Sequence, residues 1–248
     1  MIKMSTRLVN EKTLEINITH EEMSRIGIGA FGFTQQQESK IGGDVLLPCR
    51  RPLILQYKAA KSGADGQWAR FRVNNNKRKN QHLALNAVAK SGLCDAYYVF
   101  PLIISDAFLS ANFGNFISFT CIVPASSITG GINWKSQSHS VIVKKDCGFT
   151  VKSEEVTGKG IPAREFFDGV KKEKRETPTD KTRLPDFIRN LIESLDYTVR
   201  RAGIHGQSEH TILIVGAEPT LKRYGYLQLP IRIKGLQEDR EEEKIVFS

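Results

Sequence analysis

Little in this 248-residue chain points to a covalent or metal scaffold. Cysteine is sparse, and Cys49, Cys94, Cys121 and Cys147 stand singly and far apart. No C-x-x-C pair, H-x-x-x-H pair or Cys/His cluster has the spacing of a zinc site. Scattered single thiols suggest no disulfide framework and fit a reducing cytoplasm. Long apolar runs are missing too. None approaches the ~20 residues that span a bilayer, and the opening MIKMSTRLVNEK lacks the apolar stretch of a signal peptide. The expectation is a soluble, cytoplasmic protein without a membrane partner. There is no G-x-x-x-x-G-K-S/T phosphate loop and no G-x-S-x-G elbow. GIGAFG at 27–32 has the glycines of a dinucleotide turn, without the strand before it or the helix after it.

What is present is positive charge. Lysine and arginine number 36 against 27 acids, a formal charge of +9. That balance favours an anionic partner, nucleic acid before a membrane surface. The rest of the composition, 40% hydrophobic and 25% charged, is that of an ordinary globular protein, and a chain this long can bury a sizeable core.

Local patterns give a mixed α/β reading. Leu14, Ile16 and Ile18 alternate with polar residues, which predicts a strand at 13–18. Thr19 and Glu22 have capping-box spacing for a short helix at 20–26, closed by Gly27. Thr34 and Gln37 repeat that spacing ahead of a second short helix at 35–40, stopped by Gly42-Gly43. IGGDVLLPCRRPLILQYKAA, 41–60, reads as a hairpin. A basic loop, NNNKRKN, precedes a helix over roughly 80–91, whose inward stripe is Gln81, Ala84, Leu85 and Val88. AYYVFPLI at 96–103 is a strand, so 41–103 reads strand, strand, helix, strand. The texture from 112 to 157 is β. Pro162 opens a helix to about Lys172. The charged run 171–183 is the best linker, with KKEKR read as a helix end. Pro185 opens an amphipathic helix built on Phe187, Ile188, Leu191, Ile192, Leu195 and Val199. Two late strands, HTILIVG and YGYLQLPIRI, and a solvated tail follow. His139 and His210 mark strand ends.

The hairpin carries the chemistry. A turn centred on Arg50 pairs positions whose numbers sum to about 100, which sets Asp44 opposite Gln56 on one face. Lys58, two residues on, shares that face, and Tyr57 points to the other. A carboxylate and an amide oxygen can hold Mg²⁺, which keeps its remaining places for water and phosphate. A lysine beside them can orient an attacking water or stabilise charge on a phosphate. The plainer reading makes Asp44 a turn cap and leaves Gln56 and Lys58 on a solvated edge. His82, beside Gln81, either faces solvent or touches a phosphate. Arg70, Arg72, Lys77, Arg78 and Lys79 are expected to line the mouth of the site and contact nucleic acid, or else form a solvated basic surface.

Asp44, then Gln56-Tyr57-Lys58 after the apolar run LIL, resembles the motif of the PD-(D/E)XK nuclease superfamily. The resemblance covers roughly residues 30–103, from FGFTQQQE through GGDVLLP, LILQYK and QHLAL to AYYVFP. It implies a restriction-endonuclease-like α/β core over 1–160 with an α+β extension at 161–248. It implies Asp44, Glu38 and Gln56 as ligands of Mg²⁺ or Mn²⁺, Lys58 as the catalytic cation, and Gln81 as support from the following helix. The expected activity is DNA endonuclease cleavage, in microbial defence or restriction, with a homodimer or partner protein meeting the C-terminal part. The family's usual acid is Gln56 here, which removes one negative charge. Two alternatives stay open: an inactive nucleic-acid-binding module of the same fold, and a basic interaction or assembly protein.

Overall fold

In the computed structural model, residues 8–49, 51–74, 81–128, 138–152, 156–173 and 184–202 are described. The first element corrects the sequence reading. Glu11–Ile26 is one helix, α1, rather than a strand followed by a short helix. Leu14, Ile18, Glu22 and Ile26 recur every fourth residue and are buried, whereas Ile16 is 59% exposed. That four-residue period outlasts the brief alternation at 14–18 and decides the element. The Asn10 side chain accepts from the Thr13 amide at 2.7 Å to cap the helix, and Gly27 ends it at φ 65°. Thr19 and Glu22 therefore lie inside the helix instead of opening one.

β1 (Phe31–Gly32) leads into α2 (Gln35–Ile41), which opens on the Thr34/Gln37 capping box and ends at Gly42. β2 (Val45–Leu47) and β3 (Leu53–Tyr57) form the hairpin. Val45 pairs with Leu55, Leu46 with Ile54 and Leu47 with Leu53, the register expected from the sequence. β4 (Ser62–Ala64) and β5 (Trp68–Asn74) follow, where no strand was expected. Then come α3 (Gln81–Ser91), β6 (Asp95–Pro101) and α4 (Asp106–Ala111). A 3-10 turn at Phe116–Phe119 precedes β7 (Thr120–Pro124) and α5 (Ala125–Ile128). β8 (Ser138–Lys144), β9 (Gly148–Val151), β10 (Val156–Lys159) and β11 (Ile161–Pro162) complete the strands. α6 (Ala163–Glu173) and α7 (Leu184–Arg201) are the last described helices. The two late strands and the acidic tail expected after Gly203 lie outside the described residues, as does the linker core at 174–183.

The strands make two sheets. The first runs β1-β2-β3-β6-β7-β11 and the second β10-β9-β8-β5-β4. Only β3 and β6 pair in parallel; the chain between them visits the second sheet and returns through α3. The first sheet is buried on both faces. Val45, Leu47, Leu55, Tyr57, Val99 and Ile122 pack with Leu14 and Ile18 of α1 and Phe167 of α6. On the opposite face, Leu46, Ile54, Tyr98, Phe100 and Val123 pack with α3, α7 and the inward side of the second sheet. Burial on both faces explains why β2 and β3 read as continuous apolar runs.

β11 pairs with β7, so the chain beyond residue 160 contributes to the first sheet. Leu191, Leu195 and Val199 of α7 lie in the same core as α3. The cysteines also correct the sequence reading: Cys121 of β7 and Cys147 of the β8–β9 turn form a disulfide, with Cα atoms 5.5 Å apart. Their separation of 26 residues gives no local signal, because the contact exists only once the two sheets pack. Cys49 and Cys94 are free and buried. Among the described residues no helix is long and apolar enough to cross a membrane.

Candidate active site

The hairpin places its three polar residues at the ends of its strands. Asp44 directly precedes β2, and its amide donates to the Leu55 carbonyl at 2.9 Å, extending the ladder. Lys58 directly follows β3, its amide held by the Val99 carbonyl at 3.1 Å. Gln56 sits between, on the face that carries Ile54, and is fully buried. Tyr57 points to the other face, towards α1. Its hydroxyl donates to Glu22 Oε2 at 3.0 Å and accepts from Thr19 Oγ1 at 2.9 Å.

Side chains from two elements then form an unbroken polar chain. Lys58 Nζ donates to Gln81 Oε1 at 3.0 Å. Gln81 Nε2 donates to Gln56 Oε1 at 2.7 Å. Gln56 Nε2 donates to Asp44 Oδ2 at 2.6 Å. The lysine end fixes the direction: an ammonium only donates, so each amide in turn sets its oxygen towards Lys58 and its nitrogen towards Asp44. Gln81 is delivered by a tight contact between α2 and α3. Gly42 has φ +84°, and a Cβ there would overlap the Gln81 carbonyl oxygen and stand 2.9 Å from the Leu85 amide nitrogen. A glycine satisfies both the left-handed turn and the close approach.

Asp44 is only 4% exposed. Its Oδ2 also accepts the Tyr57 amide at 2.7 Å, while Oδ1 takes no hydrogen bond from a described residue. Burial pushes its carboxyl up to about 7, against the opposing pull of Lys58. Glu38, on α2, is held above the usual carboxylate range by burial, with Lys12 opposing and Glu15 and Glu11 adding to the rise.

Helix α1 contributes acids that the sequence reading missed. Glu11 Oε1 stands 3.6 Å from Lys58 Nζ, and its Oε2 accepts the Ala59 amide at 3.3 Å. Glu15 pairs with Lys12 at 2.6 Å. Reading 13–18 as a strand hid both residues; the four-residue apolar period and the Asn10 cap were the signals for a helix. The Lys58 ammonium thus has two partners, an amide oxygen and a carboxylate, and a third N–H to offer.

Several expected residues stand elsewhere. His82 is fully buried, with Nδ1 2.9 Å from the Tyr98 hydroxyl. Burial, more than the nearby His139 and Lys90, pulls the imidazole down to about 3, so it stays neutral in the core. It has no accessible surface for a phosphate and does not face solvent. Arg70 and Arg72 alternate with the buried Ala69, Phe71 and Val73, so they leave the outer face of the second sheet rather than the core side where Gln81 stands. Lys77, Arg78 and Lys79 lie outside the described residues.

Among the described residues no three His, Cys, Asp or Glu side chains converge as a ready cage. Gln56 turns its nitrogen, not its oxygen, to Asp44. Asp44 Oδ1 is the oxygen left for a ligand. That donor set fits a hydrated Mg²⁺ or Mn²⁺ on one or two carboxylates, whose other places go to water and phosphate. It does not fit a closed protein cage. Comparison of the chain with protein-family models, with curated proteins and with solved structures returned no match.

Proposed function

We propose that the chain is a metal-dependent nuclease of PD-(D/E)XK type acting on DNA phosphodiesters. One observation carries the reading: a buried aspartate and a buried lysine at the ends of paired strands are joined through two glutamines into one hydrogen-bonded chain. Burying a carboxyl, an ammonium and an amide is expensive unless each group is partnered. A fold that needed only stability would fill those positions with apolar side chains.

Asp44 would hold the cation, with Glu38 the second carboxylate that the motif suggests; the carboxylates whose charge is felt at Asp44 are Glu11 and Glu15 of α1. The cation would polarise a phosphoryl oxygen and make bound water more acidic. Lys58 stabilises the charge that develops on the phosphate as water attacks. The water oxygen forms a bond to phosphorus and gives its proton to solvent, the ester P–O bond breaks, and the departing oxygen takes a proton from solvent. Gln81 and Gln56 hold Lys58 and Asp44 at fixed separation, so that little reorganisation is needed.

The second reading is a nucleic-acid-binding module that does not cut. It draws on the Gln56 nitrogen facing Asp44, where the motif's usual acid would add a ligand oxygen. Plasmid DNA incubated with the wild type, Asp44→Asn and Lys58→Ala, each with Mg²⁺ or Mn²⁺, decides between them. Nicking by the wild type alone supports the nuclease. An intact plasmid with every protein and both metals removes it, and equal cutting by all three places the activity elsewhere.

A further inference from the structure

We infer that the outer face of the second sheet is a binding surface for single-stranded nucleic acid, separate from the Asp44 site. Side chains alternate across a sheet, so the register fixes what this face carries. Trp68, Arg70 and Arg72 leave it from β5, between the inward Ala69, Phe71 and Val73. Trp68 pairs with Lys144, Arg70 with Ile142, and Arg72 with Ser140 of β8. Ile142 pairs with Thr150 of β9, and Thr150 with Thr157 of β10. Lys152 continues β9, its amide bonded to the Ser140 carbonyl at 2.9 Å. Lys159 pairs with Gly148 on the row of Lys144.

The cations fall into a pattern. Lys144 and Lys159 stand on one row with Trp68, and Arg72 and Lys152 stand on the row at the opposite rim. Between them run Arg70, Ile142, Thr150 and Thr157. All five cations are exposed, and none ion-pairs with a carboxylate of a described residue. The acids nearest in sequence are Asp65, which accepts from the Ile104 and Ser105 amides and the Ser105 hydroxyl, Asp146, whose Oδ1 accepts the Gly148 amide at 3.1 Å, and Glu154 and Glu155, outside the described residues.

Five exposed cations in so small an area repel one another, which a polyanion would relieve. Trp68 selects among polyanions. It is 39% exposed, and an indole in the open costs the free protein apolar hydration. A base from a single strand can stack on it, whereas the bases of a duplex are already stacked on each other. An acidic peptide would meet the charges and leave the indole unused. Five strands at about 4.8 Å spacing give a platform about 19 Å across, enough for several nucleotides laid over it. The inference does not depend on cutting at Asp44.

The test is fluorescence anisotropy of a labelled oligothymidine of about 15 nucleotides, near the upper single-domain site size, in EDTA to exclude cleavage. The wild type, Trp68→Ala, the pair Arg70→Ala with Arg72→Ala, and a charge-matched control, Lys171→Ala with Lys172→Ala on α6, are titrated over a range of salt. Each phosphate contact on a single strand contributes about 0.7 to the slope of log affinity against log salt. The arginine pair should lower that slope by about 1.4 and weaken binding at least about tenfold. Trp68→Ala should weaken it at least about fivefold with the slope unchanged. The control should bind as the wild type does, and a duplex of equal length should bind the wild type less tightly. The inference falls if the arginine pair leaves the slope unchanged, if the control loses as much as the arginine pair, or if duplex and single strand bind alike. Circular dichroism confirms that each variant is folded before it is scored.

Discussion

Asp44 should make the protein less stable as pH rises, and Asp44→Asn should remove that loss. A carboxyl whose folded value lies above its unfolded one binds a proton more tightly in the native state. Stability is then fully present below the unfolded value of 3.8 and lost as pH climbs towards the folded value of about 7. A rise of about three pH units corresponds to about 4 kcal/mol, a large share of the 5–15 kcal/mol typical of a folded domain. The cause is burial, because Lys58 shares its charge with Glu11 at 3.6 Å and does not fully offset it. Asparagine keeps the shape, and its side-chain oxygen can accept from the Gln56 and Tyr57 nitrogens that now bond Oδ2. Urea unfolding of both proteins in EDTA, from about pH 4.5 to about pH 8.5, gives the difference curve. The variant should exceed the wild type by only about 1 kcal/mol at the acid end and by about 4 kcal/mol at the alkaline end. Other buried acids cancel in the difference. Added Mn²⁺ should stabilise the wild type at alkaline pH and leave the variant unmoved. A difference that is flat in pH, or a wild type that gains on the alkaline side, would show Asp44 ionised and well compensated, and would refute the burial argument.

Three further predictions follow from the same geometry. Glu22→Gln should also stabilise the protein at alkaline pH, since burial raises the Glu22 carboxyl well above its usual range and an amide oxygen can still accept from Tyr57; thermal melts at two pH values check it, and an equal gain at both refutes it. Gln56→Glu would set two carboxylates at the 2.6 Å now spanned by a hydrogen bond, so the pair should share one proton. The variant should melt lower than the wild type in EDTA above pH 7 and gain more from Mn²⁺, which differential scanning calorimetry reads directly. Gly42→Ala combines a left-handed φ of +84° with overlap on α3, and should cost about 1–3 kcal/mol and lower any cutting by shifting Gln81; an unchanged urea midpoint would mean that α3 yields freely.

How much was legible in the sequence depended on the range of the contact behind each feature. The hairpin register could be read, because a short turn and apolar runs on both strands leave one way to bury both faces. The capping box of α2, the α3 stripe and the Gly27 stop could be read for the same reason, since their signals lie within a few residues. The helix α1 was misread because a window of six residues holds the same apolar alternation as a strand, and only the longer period separates them. That local error hid Glu11 from the site, although the residues it joins were correctly gathered. The outward direction of Arg70 and Arg72, the burial of His82 and the Cys121–Cys147 bridge all depend on the second sheet. Its central pair, β5 with β8, joins segments some 70 residues apart. No local pattern encodes such a pairing; it forms because Phe71 and Val73 from one segment and Val141 and Val143 from the other need the same apolar face. The glutamine at 56 makes sense only in that setting. Beside Asp44 alone it is a missing acid. With Gln81 brought down by α3, it is the group that can accept from one amide and donate to a carboxylate at once, which a second aspartate or glutamate could do only by holding a proton.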